Sequence, residues 1–307
     1  MTPILRPAQG SAGHGQRGFA LVMVLWVLVL LTLLGTGFGR AVRVESRAGI
    51  AADERLRLEA AALAGVARGI HGLLITDPER AWRLDGRSYE IPWTDASLRV
   101  TMRSENGKID INFAPAPLLA GLFEALLPDA DADALADAVL DWRDGDDRRR
   151  PKGAEAADYA AAGRSYGPAN RPFRSPWTLS QVLGLNGAAV ERLLPYVTIH
   201  ARRPRVDPFS ADARVLAAIP GIEPEAAEAF VAQRRRTTEG GPVDLQPLSG
   251  GSRYLDRRPS TGLASIRVEA RAPSGGRLIR EAVVRLKGRS QGYEILSWRQ
   301  IPAGSER

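Results

Sequence analysis

Carboxylate side chains are concentrated in one short part of the sequence, where they could bind a metal ion. The stretch Asp141-Trp142-Arg143-Asp144-Gly145-Asp146-Asp147 is followed by Glu155 and Asp158. Carboxylates grouped around a glycine turn suit a hard cation, which takes about six to eight oxygen ligands. The spacing is not that of an EF-hand, and the arginines at 148–150 lie alongside. A solvated loop of ion pairs is therefore the alternative interpretation.

The residues that could carry out catalysis do not form a recognisable group. Residues 163–167 match the G-x-S-x-G pattern of a hydrolase nucleophile, but no predicted strand precedes them and Pro168 follows where a helix should begin. We interpret Ser165 as a loop serine. The chain has three histidines and no cysteine, which excludes disulfides, thiolate catalysis and cysteine-bound metals. The sequence therefore predicts that the protein is not an enzyme.

A third motif is similar to a hairpin that binds DNA. Residues 216–222 resemble the turn of a helix-hairpin-helix motif, whose backbone N–H groups contact phosphates, and the arginines at 234–236 could assist. Glu223 replaces the second glycine of that turn, and its charge would repel a phosphate. We therefore favour a structural hairpin and predict no nucleic-acid partner. A membrane-anchored helix-hairpin-helix DNA-binding protein is the alternative function.

The composition is that of a globular protein. The chain is 44% hydrophobic and 25% charged, which excludes a disordered polypeptide. Its net charge of +7 comes mostly from arginines that are spread widely. Because the basic clusters are short, we interpret them as solvated surface.

The first element that the pattern predicts is a long apolar helix. Residues 19–38 are twenty residues without a charge, enough at about 1.5 Å per residue to cross a bilayer core of about 30 Å. The leader before them carries Arg6 and Arg17 and no acid, so we expect it to stay cytoplasmic. Helical spacing continues to Ile75. The expected buried stripe of this part consists of Leu63, Val66, Ile70, Leu73 and Leu74.

Strand-like alternation occurs on both sides of a long helical region. It is present at 98–104, with 88–92 as a partner, and returns at 266–270, 279–286 and 293–298. Since a lone hairpin is marginal in water, we expect these strands to form one antiparallel sheet packed on the long helix. The sequence thus predicts an α+β fold with a large α-helical insertion.

The insertion contains an internal repeat. Lys108-Ile109-Asp110 and Arg205-Val206-Asp207 each precede an apolar helix, a turn with proline and an Ala-rich helix. We predict two helix-hairpin-helix units of the SAM-like kind. The expected segments of the chain are a leader at 1–18, a transmembrane segment at 19–39, a spine helix with the first strands at 40–104, the inserted domain and loop at 105–260, and the last strands at 261–307.

The junction Arg17-Gly18-Phe19, where the leader meets the apolar helix, resembles the processing site of type IV pilins and pseudopilins. The resemblance implies cleavage between Gly18 and Phe19 and N-methylation of Phe19. Most members carry glutamate at the fifth mature position, where it pairs with a neighbour's N-terminal amine, but this chain has Met23. Such a subunit could begin a fibre rather than join one. A secretory signal peptide cut near 35–39 is the alternative.

Several segments, in the right order, are similar to general secretion pathway protein K, a minor pseudopilin family. The segments that carry the similarity are 110–112, 138–144, 153–155, 169–173 and 193–198. The resemblance implies a pseudopilin fold whose inserted α-helical domain holds calcium in a structural role. The calcium ligands that it implies are Asp144, Asp146, Asp147, Glu155 and Asp158.

The resemblance also implies the function and location of the protein. We expect a minor pseudopilin at the tip of the type II secretion pseudopilus, where it nucleates assembly for protein export. The implied partners are the I-, J- and H-type minor pseudopilins, prepilin peptidase and the inner membrane. The chain would cross the inner membrane once, with its N-terminus in the cytoplasm and its C-terminal domain in the periplasm. A minor pilin of a related type IV pilus is a further alternative.

Overall fold

The computed structural model describes residues 16–75, 77, 80–237, 243–259, 262–287 and 292–301, except for the side chains of 16–20 and 34–48. The chain divides into two compact units, 1–57 and 58–307. The helices are α1 Gln16–Leu74, α2 Ala116–Leu126, α3 Ala132–Arg143, α4 Ala156–Ala161, α5 Gly187–Leu193, α6 Ala213–Ala217 and α7 Pro224–Arg236. The strands are β1 Asp85–Trp93, β2 Ala96–Ser104, β3 Ile109–Asp110, β4 Val197–Thr198, β5 Leu263–Arg271, β6 Arg277–Leu286 and β7 Tyr293–Ile301.

In the first unit, helix α1 presents an apolar surface. Side chains 21–33 are exposed, and all of them except Thr32 are large and apolar. A search of the described residues finds no helix with both the length and the apolar character of a membrane span. The predicted leader and the predicted membrane segment, 19–39, both extend to residues or side chains outside the described part.

In the second unit, strands from both ends of the chain share one sheet, as predicted. Its order is β1-β2-β5-β6-β7, and every neighbouring pair is antiparallel. The residues between β2 and β5 therefore form an insertion between two strands that are direct neighbours in the sheet. The predicted boundaries of the five segments stay predictions.

Helix α1 packs on this sheet through part of the predicted stripe: Val66 and Ile70 are buried, and Leu73 packs against them partly buried. Its buried residues are Leu58, Ala61, Ala62, Val66 and Ile70. They contact the buried side chains of β2, β5 and β6. Leu63 and Leu74, which the sequence placed in the stripe, are 58% and 41% exposed. The prediction for these two was wrong because the small residues of the helix, rather than its leucines, allow the backbone to approach the sheet. An added Cβ at Gly65 would lie 2.6 Å from Val268.

The insertion has its own hydrophobic cluster, separate from the one under α1. It consists of two helix pairs, α2 with α3 and α6 with α7, together with the loops and shorter helices between them. Gly121 lies where the pairs meet, since a Cβ there would lie 2.0 Å from the carbonyl oxygen of Ala218. The insertion is therefore held together by close packing between the two pairs.

The repeat predicted from Asp110 and Asp207 corresponds to two turns with the same hydrogen bonds. The carbonyl of Asp110 accepts from the third and fourth following N–H groups, and so does the carbonyl of Asp207. Each side chain also accepts the N–H group two residues on. Each turn follows a residue in a parallel bridge, Ile109 with Val197 and Val206 with Leu255.

Candidate cation site

Helix α3 places the first carboxylates of the acidic loop. Asp131 caps its N-terminus by accepting the N–H of Ala134, at 3.1 Å. At the other end Arg143 donates to the carbonyl oxygens of Ile111 and Ala114, the latter at 2.7 Å. These bonds fix the last turn of α3 against the turn at Asp110. As a result Asp141, on the inner face of α3, has a fully buried side chain.

Arg150 closes the acidic loop over the end of α3. Its guanidinium Nη1 lies 2.6 Å from Asp141 Oδ1 and also donates to Asp144 Oδ2. Its backbone N–H donates to Asp141 Oδ2 at 3.2 Å. Gly153 packs against the same carboxylate, because an added Cβ would lie 1.9 Å from Asp141 Oδ2. Asp141 is therefore neutralised by Arg150 and sterically enclosed.

Several buried oxygens beside this ion pair have no hydrogen-bond partner in the part of the chain that the structure describes. They are both carboxylate oxygens of Glu155, Oδ1 of Asp144 and Oδ1 of Asn170. Burial raises the pKa of the Glu155 carboxyl group, and the nearby carboxylates of Asp141 and Asp144 raise that pKa further. A carboxylate that is buried without donors is unfavourable unless a cation compensates it. These oxygens therefore fit a hard cation such as calcium.

The other acidic residues predicted as ligands make local contacts in the loop. Asp146 accepts the N–H of Arg148 at 2.9 Å. Asp158 accepts the N–H of Glu155 at 2.9 Å at the start of α4 and lies 3.5 Å from Arg149. In the described residues, no group of three or more acidic or histidine side chains already converges as a metal site. Of the five predicted residues, Glu155 and Asp144 thus offer free oxygens, whereas Asp146 and Asp158 make local contacts in the loop.

Asn170 is a residue of this cluster that the sequence did not single out as a ligand. Its amide nitrogen donates to Asp147 Oδ1 at 2.9 Å, which leaves its own oxygen free. Its φ of 47° lies in the left-handed region, where asparagine is favoured over most residues. Only the fold brings Asn170, more than twenty residues along the chain, back to the acidic loop.

Aromatic rings form one wall beside the acidic loop. The ring of Trp142 lies 6.1 Å from those of Tyr159 and Phe173 and 6.5 Å from that of Tyr166. Tyr159 and Phe173 are buried, and Trp142 is 2% exposed. These contacts bury the ring of Trp142, the residue that follows Asp141, among other aromatic side chains.

The motifs considered for catalysis and for DNA binding, residues 163–167 and 216–223, lie outside the acidic loop. Ser165 is exposed in the loop after α4, and no strand precedes it, as predicted. Arg234, which could have assisted DNA binding, donates to the carbonyl oxygen of Pro208 at 2.5 Å, and burial lowers the pKa of its guanidinium group. Glu223 occupies the N-cap position of α7, and its side chain makes no capping hydrogen bond there.

The N-terminal residues singled out in the sequence are described only in part. Gly18 and Phe19 fall within the bounds of α1, and their side chains lie outside the described residues. Met23 is 55% exposed on α1. The predicted cleavage, methylation and assembly roles stay predictions.

Known proteins share both the sequence and the fold of this chain. The family model described as Type II secretion system (T2SS), protein K matches residues 102–202. Type II secretion system protein K of Klebsiella pneumoniae is 28% identical over 204 residues, which cover 60% of this chain and 63% of that protein. The protein K of Pectobacterium carotovorum subsp. carotovorum is 28% identical over 204 residues, covering 59% of this chain and 62% of that protein. The match thus spans less than two thirds of either relative.

A solved structure extends the similarity to the fold of most of the chain. A chain in the crystal structure of the GspK-GspI-GspJ complex from the enterotoxigenic Escherichia coli type 2 secretion system matches with a TM-score of 0.62 and 15% identity. The match covers 82% of this chain and 98% of that one. The mixed fold of helices and an antiparallel sheet is therefore that of a known protein. The predicted resemblance to protein K is therefore confirmed for residues 102–202, which match the family model for protein K of type II secretion systems.

Proposed function

We propose that this protein is a minor pseudopilin at the tip of a type II secretion pseudopilus, where it nucleates assembly for protein export. The observation that carries the proposal is the protein K domain at 102–202, inserted into a sheet packed on the long helix α1. A family of structural subunits also agrees with the prediction that the protein is not an enzyme. Deleting the gene should retain a type II substrate in the periplasm, and plasmid-borne wild-type protein should restore export. Unchanged export in the deletion strain would contradict the proposal.

The partners in this proposal are other minor pseudopilins of the I, J and H types. The support is that a chain of the same fold was crystallised as part of a GspK-GspI-GspJ complex. The full chain, solubilised in detergent and purified through a C-terminal tag, should retain the I- and J-type subunits of its own host. Recovery without either subunit, under conditions that preserve export, would oppose these partners.

The exposed apolar side chains of helix α1 support the membrane topology in this proposal. Apolar side chains exposed over 21–33 are unfavourable in water and suit the bilayer before assembly, or the helices of other subunits afterwards. Prepilin peptidase would cut between Gly18 and Phe19, and Phe19 would then be methylated. The rest of the chain would lie in the periplasm, with one pass through the inner membrane. N-terminal sequencing of the mature protein should begin at methylated Phe19; a start after residues 35–39 would exclude this processing.

Met23 is the reason for proposing that this subunit starts the fibre. A charge held among apolar helices is stable only when it is paired, so a glutamate at this position recruits a subunit through a neighbour's amine. Met23 cannot form that pair. A Met23→Glu chain should therefore compete for ordinary subunit positions and lower the number of pseudopili that are initiated. Fibre counts by electron microscopy that equal those of the wild type would show that Met23 does not determine whether this subunit starts a fibre.

Calcium is the proposed structural ion of the acidic loop. Glu155, Asp144 and Asn170 would supply the oxygens that lack partners, with Asp146, Asp147 and Asp158 closing the loop around them. The ion would supply positive charge where burial raises the pKa of Glu155. Terbium is a luminescent substitute, and the indole of Trp142 next to the loop would sensitise it. Terbium emission excited through tryptophan, displaced by calcium, is the expected result; emission equal to that of Glu155→Gln would exclude the site.

The two helix pairs are proposed to be structural helix-hairpin-helix units. Their support is the repeated turn at Asp110 and Asp207 and the packing of Gly121 on Ala218. In this role the units shape the bulk of the insertion, which would leave no space for another subunit above it. Removing the insertion as a block should therefore abolish nucleation while leaving α1 able to enter the membrane.

A further inference from the structure

Two short segments that are distant in the sequence lie side by side through a parallel bridge. The bridge pairs Val206 with Leu255, and both side chains are buried. The N–H group of Val206 donates at 2.8 Å and its carbonyl oxygen accepts at 2.9 Å, from the backbone on either side of Leu255. Residues 202–206 and 253–258 are therefore neighbours in the fold.

These two segments carry a large excess of positive charge. Together they contain six arginines and one aspartate, hence a net charge of +5, whereas the whole chain carries +7. The aspartate, Asp256, pairs with Arg203 at 2.7 Å, and the other five arginines are exposed. Arginines that are spread along the sequence thus meet in the fold. This arginine surface consists of Arg202, Arg203, Arg205, Arg253, Arg257 and Arg258.

Most side chains of the arginine surface have no charged partner in the part of the chain that the structure describes. Arg253 lies over its neighbour Tyr254, with the guanidinium carbon 4.5 Å from the ring centroid. The side chains that form neither an ion pair nor a hydrogen bond with any described residue are Arg202, Arg205, Arg257 and Arg258. Like charges that are grouped without counter-charges attract an anionic partner.

The backbone of the first segment is fixed by the rest of the fold. Arg285 of β6 donates to the carbonyl oxygen of His200 at 3.3 Å. The N–H group of Arg202 donates to Oδ2 of the buried Asp110 at 2.7 Å. The φ of Arg202 is 56°, in the left-handed region that favours glycine, asparagine and aspartate. The backbone conformation therefore does not account for an arginine at 202, whereas a binding role for its side chain does.

The chemistry of the arginine surface suits carboxylates. A guanidinium group presents its donors in a planar fork that matches a carboxylate or a phosphate. Within the surface, Arg203 already binds the carboxylate of Asp256. None of the exposed large apolar side chains of the described residues lies within 199–210 or 243–259. The surface thus lacks the exposed apolar groups that membrane insertion or base stacking uses, and an acidic protein segment fits it better.

We propose that the arginine surface binds a segment of another protein that is rich in aspartate and glutamate. The bound segment extends across 202–206 and 253–258, so that its carboxylates contact arginines of both. Because the backbone beneath Arg202 is already ordered, little of it has to be fixed on binding. The interaction is electrostatic, so salt weakens it. The inference does not depend on the proposed function.

Binding of an acidic peptide to the full chain in a nonionic detergent tests this proposal. The probe is fluorescein-labelled decaglutamate, followed by fluorescence anisotropy, with labelled decaglutamine as the uncharged reference. The variant of the surface combines Arg205→Gln, Arg257→Gln and Arg258→Gln. The control removes the same charge from three exposed arginines elsewhere in the insertion, and combines Arg164→Gln, Arg171→Gln and Arg174→Gln.

The surface variant should bind decaglutamate at least about tenfold more weakly than the wild type, because it lacks about three exposed ion pairs. The control should bind within about twofold of the wild type. Equal losses in the two variants would show attraction by net charge alone and would overturn the proposal. So would a wild type that does not bind decaglutamate at low salt. Displacement of the probe by duplex DNA of equal charge, more strongly than by unlabelled decaglutamate, would assign the surface to nucleic acid instead.

Photocrosslinking in the host tests the same surface with a single substitution. Arg205 is replaced by p-benzoylphenylalanine, and Arg171 is replaced in the same way as the control. The expected product joins position 205 to a peptide of another protein with an excess of aspartate and glutamate, identified by mass spectrometry. A crosslink to lipid, to a second copy of this chain or to a peptide without excess acid would overturn the proposal, as would an equal yield of the same product at 171.

Discussion

The two helix pairs of the insertion begin alike and end differently. Asp110 precedes α2 and Asp207 precedes α6, and each makes the same turn with the same backbone hydrogen bonds. After α3 the chain enters the acidic loop, whose oxygens at Glu155 lack partners among the described residues. The last turn of α7 carries arginines instead, and Arg234 donates to the backbone carbonyl of Pro208. The same turn thus begins both pairs, and among the described residues the loop after the first pair leaves buried carboxylate oxygens without partners.

The largest expected effect tests whether the two turns are equivalent. Asp110→Ala and Asp207→Ala should each lower the free energy of unfolding by roughly 2–4 kcal/mol, because each leaves buried donors unpaired at about 1–3 kcal/mol apiece. Urea unfolding of the full chain in detergent, followed by tryptophan fluorescence, measures the change. Asp129→Ala, at an exposed position between α2 and α3, is the control. A loss at one turn only would break the comparison.

Two glycines of the acidic loop test whether close packing around Asp141 distinguishes the first helix pair from the second. Gly153→Ala should lower the free energy of unfolding by roughly 1–3 kcal/mol, since its Cβ would overlap the enclosed carboxylate of Asp141. Gly145→Ala meets nothing within 4 Å and should change stability by less than about 0.5 kcal/mol. The same unfolding measurement compares them. Equal effects would mean that the ion pair of Asp141 with Arg150 does not organise the loop.

Calcium should stabilise the protein through the first pair alone. A ligand bound only by the folded chain adds about 2.7 kcal/mol at a concentration about 100 times its Kd. Thermal unfolding in EDTA and then in calcium should show a rise in Tm for the wild type. Glu155→Gln should raise the Tm in EDTA, because it removes an uncompensated buried charge, and should lose the response to calcium. Glu225→Gln in α7 is the matched control; a full calcium response in Glu155→Gln would exclude this ligand.

The smallest expected effect is a pH dependence of the ion-free protein. The raised pKa of Glu155 means that the folded chain keeps this proton to a higher pH than the unfolded chain does. Its contribution to stability therefore falls as the pH rises from the ordinary value of 4.5 toward the raised value. Unfolding in EDTA across this range should show a fall in the wild type that Glu155→Gln lacks. A rise over the same range, specific to the wild type, would contradict the assignment.

Much of the fold could be predicted because the spacing of apolar residues that distinguishes strands from helices involves only residues near each other in the chain. Alternation at 98–104 and 266–270 identified strands that proved to be neighbours, β2 and β5. The order of the motifs was enough to predict the resemblance to protein K, whose family model matches residues 102–202. The buried stripe of α1 was less predictable, since leucine spacing alone does not show which side of a helix faces the sheet. Leu63 fits the spacing of the buried residues, yet it is 58% exposed.

The sequence by itself determined the helices and strands, the resemblance of residues 102–202 to protein K and the acidic composition of the loop, because each depends on residues close together in the chain. Only the tertiary structure decided which of those acids lack partners. Arg150 pairs with Asp141, and the amide nitrogen of Asn170 donates to Asp147. The carboxylate oxygens of Glu155 and the amide oxygen of Asn170 stay without partners, which the spacing of these residues in the sequence does not predict. The physical reason is that the free energy of a buried carboxylate depends on every donor within reach, and chain folding brings those donors from distant positions.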